Sequence, residues 1–229
     1  MLGKPDIGAS NEDTLSVRRI RPNRRSVTGF HPSLKTGKMV GFESSLELDF
    51  IYCLDVHPAV ISFEWQPLEI KFSDSSGRAR HYTPDFLIHY SAAANSPERR
   101  VLCEVKFLAD LDKDWNALKP GLAAAGSYAD ERSWRFTVYS EHEIRTHYLW
   151  NARFLWTYCR SPVLQEPRAR VLKLLKTSGP TTIADFCAKF RRSTSSESDC
   201  IVAFWQLIAE QRIRTDLSAR LDARSRIWK

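Results

Sequence analysis

Glu104 and Lys106 stand two apart in the run Val101-Leu102-Cys103-Glu104-Val105-Lys106. On a strand both project from one face, while Val101, Cys103 and Val105 project from the other into a core. Asp85 lies nineteen residues earlier, in Thr83-Pro84-Asp85-Phe86; its proline removes a ladder donor, as expected where a strand bends beside a site. Glu47 lies in Phe42-Glu43-Ser44-Ser45-Leu46-Glu47-Leu48, at the start of an expected helix. Glu43, one turn earlier on the same face, competes with it for the same role. Carboxylates gathered with one lysine suit Mg²⁺-dependent phosphodiester hydrolysis. Mg²⁺ takes hard oxygen ligands, often one or two carboxylates plus the substrate phosphate, and it polarises the phosphoryl group. Each piece alone has a plainer reading. Glu-x-Lys also fits a surface strand with a cross-strand ion pair, Pro-Asp fits a turn, and Ser44-x-x-Glu47 fits a capping box.

Positioning these groups takes a mixed set of elements. Phe42, Leu46, Phe50 and Leu54 recur every four residues, which predicts a helix from about Glu43 until His57-Pro58 ends it. Strands are expected at Val60–Trp65, Leu68–Phe72, Tyr82–Tyr90, Val101–Phe107 and Trp134–Tyr139. Helices are expected at Asp114–Gly126, bent at Pro120-Gly121, and as one long element over Glu141–Tyr158. This order gives an α/β class, a mixed sheet flanked by helices, over residues 39–160. Residues 161–229 read as a small winged-helix-like unit, with three short helices and a hairpin around Leu217–Ala223. Residues 1–38, containing Arg18-Arg19-Ile20-Arg21-Pro22-Asn23-Arg24-Arg25, read as an irregular basic arm.

The order of these pieces resembles the PD-(D/E)xK nuclease superfamily, with its restriction-endonuclease-like fold. More narrowly it is similar to the TnsA endonuclease family of Tn7-like transposons. The resemblance rests on Ser44–Phe50, Val60–Pro67, Tyr82–Leu87, Glu104-Val105-Lys106, Val138–Ile144 and Asn151-Ala152. It implies that Glu47 is the helix carboxylate, Asp85 the metal-bridging aspartate and Lys106 the catalytic lysine. Glu104 falls at a position that varies in the family between Glu and Gln. The backbone carbonyl of Val105 would be a further metal ligand, and Gln66 would line the cleft. The resemblance also implies one or two Mg²⁺, with Mn²⁺ able to substitute. The implied substrate is double-stranded DNA at transposon ends, cut on the non-transferred strand at the 5′ ends. A TnsB-type transposase and a TnsC-type ATPase regulator would be partners, the latter through the C-terminal unit.

Composition narrows the class further. Residues 1–38, 39–159 and 160–229 carry net charges of +5, −5 and +7, so an acidic middle sits between basic flanks suited to phosphate. Five scattered cysteines form no Cys-x-x-Cys and no zinc spacing. No apolar run approaches membrane-spanning length and no signal sequence opens the chain, so a cytoplasmic protein without membrane contact is expected. A stand-alone restriction or repair nuclease and a non-catalytic DNA-binding adaptor remain the alternatives. Whether the C-terminal unit binds DNA or protein stays open, as does the choice between Glu43 and Glu47.

Overall fold

A computed structural model describes residues 27–91, 99–191 and 197–229. Most of the expected basic arm, including its arginine run, lies outside these residues. The end of that stretch is not irregular. Strand β1 (Gly29–Pro32) pairs antiparallel with β2 (Met39–Phe42), and Asp55 holds the intervening turn by accepting from Ser33 Oγ at 2.6 Å and Leu34 N at 3.1 Å.

Helix α1 (Ser45–Val56) starts where Ser44 Oγ accepts the Glu47 amide at 3.0 Å. It ends at His57, whose extended backbone (ψ 122°) is what a following proline enforces. Strand β3 (Val60–Trp65) follows. A small antiparallel hairpin, β4 (Ile70–Ser73) and β5 (Ala79–Tyr82), then stands apart from the main sheet. Strands β6 (Phe86–Tyr90) and β7 (Arg100–Val105), helices α2 (Leu108–Lys113) and α3 (Trp115–Asp130), and β8 (Arg135–Tyr139) complete the central layer. The sheet order is β3-β6-β7-β8, antiparallel except for the parallel β7–β8 pair.

Alternation along β6 and β7 feeds two cores. Phe86, Ile88, Val101, Cys103 and Val105 pack with Leu46, Phe50, Ile51 and Leu54 of α1. Leu87 and Leu102 turn to the opposite face, against Ala125 and Ala129 of α3. A mixed sheet flanked by helices is the restriction-endonuclease-like arrangement expected from the sequence.

Three boundaries differ from expectation. The strand expected over Tyr82–Tyr90 is broken at Thr83-Pro84-Asp85, because Pro84 has no amide for a ladder and the chain crosses there from β5 into β6. Pro120 lies inside the continuous α3. The long helix expected over Glu141–Tyr158 is two helices, α4 (Glu141–Ile144) and α5 (His147–Cys159). Each has its own cap: a capping box of Ser140 with Glu143 opens α4, and Thr146 opens α5.

Beyond α5 come α6 (Gln165–Ser178), β9 (Thr181–Thr182), α7 (Ile183–Arg191), α8 (Glu197–Ala209) and β10 (Arg226–Ile227). The expected terminal hairpin is closed only by an Arg214–Trp228 bridge, and β10 pairs instead with β9. The core of this unit also reaches past the expected boundary at 160. Ala152, Leu155 and Trp156 of α5 are buried with Val171, Phe186, Phe204 and Leu207. Among the described residues, no helix is long and apolar enough to cross a membrane.

One residue fastens the C-terminal loop to α5. Fully buried Asn151 donates to the Leu217 and Ala219 carbonyls at 2.9 and 2.8 Å and accepts from Leu221 N at 3.0 Å. Asn151→Ala strands these groups, at about 1–3 kcal/mol per unsatisfied buried partner. Hydrogen exchange should accelerate at the Leu221 amide while Val101–Cys103 stay protected; unchanged protection at Leu221 would show that other contacts hold the loop.

Candidate active site

The break before β6 fixes Asp85. Its side chain accepts from Val105 N, at the end of β7, at 2.7 Å. Its backbone carbonyl accepts from Gln66 N, also at 2.7 Å. Gln66 adopts φ +45° to make that contact, a conformation costly for any residue but glycine and tolerated where the surroundings demand it. Its side chain is buried, and Oε1 has no hydrogen-bond partner among the described residues.

Glu104 is 5% exposed on the α3 side of β7. It accepts from the Tyr82 hydroxyl at 2.5 Å, and its other oxygen faces Lys106 Nζ at 3.4 Å. Tyr82 reaches it because Gly121 of α3 has no side chain. A Cβ there would lie 2.6 Å from the Tyr82 ring, so Gly121 is a place of close approach. Lys106 follows the last residue of β7 and is anchored by its amide on the Tyr139 carbonyl at 3.0 Å. Glu47 approaches from α1, buried, with Oε2 accepting from Glu43 N at 2.9 Å.

These groups share one electrostatic field. Burial raises the Asp85 carboxyl well above its ordinary range, and repulsion from Glu104 and Glu47 adds to it. Burial also raises Glu104, against the pull of Lys106 and Tyr82. Glu47 is raised by burial in the same way, against the pull of the Glu43 amide and the Ser44 hydroxyl. Burial alone would lower Lys106, but Glu104 and Asp85 outweigh it and hold the ammonium above its usual value. Glu43, expected on the helix, precedes the Ser44 cap and lies outside α1; it supplies a backbone amide to Glu47, whose charge is felt at Asp85.

The fold thus brings Glu47, Asp85, Glu104 and Lys106 into one neighbourhood, with Gln66 tied to Asp85 and the end of Val105 beside it. The side chains are not gathered as a finished cation site. Among the described residues no three His, Cys, Asp or Glu side chains converge closely enough to bind a metal as they stand. Glu104 is held by Tyr82 and Lys106, and Glu47 by the Glu43 amide. The donor chemistry nonetheless fits a hard divalent cation: several buried carboxylates repel one another with a single ammonium to balance them. Tyr82 and Gly121 were not legible as site residues, because the hydroxyl meets Glu104 only after the β4–β5 hairpin folds onto α3.

Carboxyls raised in the folded state bind protons that the unfolded chain has already released. Their contribution is present at low pH and is lost as pH rises through the raised values. Asp85→Asn removes one repelled charge and keeps an oxygen acceptor for Val105 N. In metal-free buffer it should therefore raise Tm at pH 8, by roughly 2–4 °C if about 1 kcal/mol is relieved. The gain should vanish below the ordinary aspartate range, and a lower Tm at pH 8 would show that the negative charge stabilises the fold.

Residues 57–141 match the family model described as TnsA-like endonuclease N terminal, and residues 143–217 match TnsA endonuclease C terminal. The first match contains Gln66, Asp85, Glu104 and Lys106; Glu47 precedes it. The seam between the two falls in α4, so α5 goes with the C-terminal match, as its buried contacts do. No curated protein matches the chain. With the two matches spanning most of the sequence and the mixed sheet carrying a carboxylate–lysine cluster, the chain belongs to the TnsA endonuclease family.

Proposed function

We propose that this chain is the metal-dependent endonuclease subunit of a Tn7-like transposase, cutting the non-transferred DNA strand at the 5′ ends of the element. The observation that carries this reading is the shared electrostatic neighbourhood of Asp85, Glu104, Glu47 and Lys106 near the ends of β6, β7 and α1. Asp85, Glu104, Glu47 and the Val105 carbonyl would hold one or two Mg²⁺, with Mn²⁺ able to replace it. Bound there, the cation would supply Lewis-acid charge at the scissile phosphate.

The chain's own groups do the remaining work. Asp85 is fixed by Val105 N and Gln66 N, so its carboxylate is oriented before DNA arrives. That preorganisation is what electrostatic stabilisation of a developing charge requires. Lys106, kept protonated by Glu104 and Asp85, places a positive charge where the phosphate becomes more negative and orients the attacking water. Tyr82 holds Glu104 in line with it. Cut-and-paste movement would follow with a TnsB-type transposase joining the 3′ ends. A TnsC-type regulator would engage the C-terminal unit, where residues 160–229 carry a net charge of +7.

The carboxylate set weighs against a purely DNA-binding adaptor, since carboxylates near phosphate repel it unless a cation is bound. Asp85→Ala and Lys106→Ala, assayed with the neighbouring transposase, should lose 5′-strand cuts by at least about 10²-fold, the scale of losing an electrostatic catalytic group. Products should shift from simple insertions to cointegrates. Unchanged products would assign that cut to another subunit.

A further inference from the structure

Asp49 sits on α1 with its side chain only 3% exposed, and both of its oxygens are taken by arginines. Arg145 Nε donates to Oδ2 at 2.9 Å, and Arg153 Nη2 donates to Oδ1. A buried carboxylate needs one cation for balance; the second guanidinium is a surplus on Asp49 itself, and the Glu141 carboxylate also feels the Arg145 charge. That surplus is at the surface, since the two arginine side chains are 43% and 51% exposed.

Their orientation is fixed in advance. Arg145 also donates from Nη2 to Ser45 Oγ at 3.1 Å and lies 5.1 Å over the Phe107 ring. Arg153 lies 5.6 Å over Tyr52. Their other N–H donors have no partner among the described residues. Planar guanidinia held this way match the oxygens of a phosphodiester better than flexible ammonium groups do.

The pair is held by the same elements that carry the proposed catalytic groups. Phe107 directly follows Lys106, and Ser45 and Asp49 flank Glu47 on α1. The stretch from Lys106 to Leu108 is tied to the segment leading to Arg145 through Lys106 N on Tyr139 O and Leu108 N on Glu141 Oε2, at 3.0 and 2.9 Å. We propose that Arg145 and Arg153, gathered on Asp49, form a binding site for a DNA backbone phosphate next to the one that is cut. The position of this phosphate relative to the cut rests on the nuclease reading; phosphate binding itself does not.

The test is the salt dependence of DNA binding by the full chain, read by fluorescence anisotropy on a short duplex in EDTA, so that no cleavage is needed. Arg145→Ala and Arg153→Ala should each weaken binding and flatten the dependence of log affinity on log salt, by about 0.9 in the double variant, which loses the one phosphate contact. Asp49→Asn should keep the wild-type slope or steepen it, because both cations remain. Wild-type slopes in both arginine variants, with only Tm reduced, would make the cluster a purely structural ion pair and overturn the proposal. Absence of salt-dependent binding in the wild type would overturn it as well. Failure of the nuclease reading would appear separately, as no 5′-strand cutting by the chain together with the neighbouring transposase in Mg²⁺, with the slopes unaffected.

Discussion

The hydrogen bond from the Val105 amide to the Asp85 carboxylate ties the end of one central strand to the break before another. It forms only if β6 and β7 keep their register, Phe86 opposite Cys103. Gln66, in its strained conformation at the end of β3, completes the grip from the other side. Three strand ends therefore meet at one residue, Val105 N on its carboxylate and Gln66 N on its backbone carbonyl. Its burial and its repulsion by Glu104 and Glu47 make the site a region of stored unfavourable charge. The two cores above and below the sheet hold that arrangement against the repulsion, as marginally stable proteins do at functional sites.

Helix α5 links this site to the rest of the chain. Arg153 on α5 and Arg145 just before it hold Asp49 of α1, while Asn151 holds the loop over residues 217–221. Leu155 and Trp156 belong to the C-terminal core, and Trp156 also donates to Asp55 near the end of α1. Helix α1 and the C-terminal unit thus bear on a common helix, and a boundary placed after residue 160 divides a packed core.

Much of this was legible in the sequence because it is local. The period-four stripe of Leu46, Phe50 and Leu54 specified α1, and its cap and its stop at His57-Pro58 were readable nearby. The spacing of Asp85, Glu104 and Lys106 marked the cluster, since period two decides which face a strand residue takes. Other features depend on contacts between distant segments. Pro84 marked a bend, but nothing local showed that the strand would split there. Tyr82 meets Glu104 only through the vacancy at Gly121. The break at Arg145 depends on the separate caps at Ser140 and Thr146, and the partners of Asp49 lie about a hundred residues away. The strand over Gly29–Pro32 depends on its pairing with Met39–Phe42, which a four-residue run does not reveal.

In the function proposed above, the buried, mutually repelling carboxylates around Asp85 take a divalent cation. Calorimetric titration of the full chain with Mg²⁺, repeated at mildly acidic pH in buffers of different ionisation enthalpy, tests it most directly. Binding should release protons as the cation displaces them from the raised carboxyls, and Asp85→Ala should abolish the signal. No binding heat, or binding without proton release that survives Asp85→Ala, would contradict it.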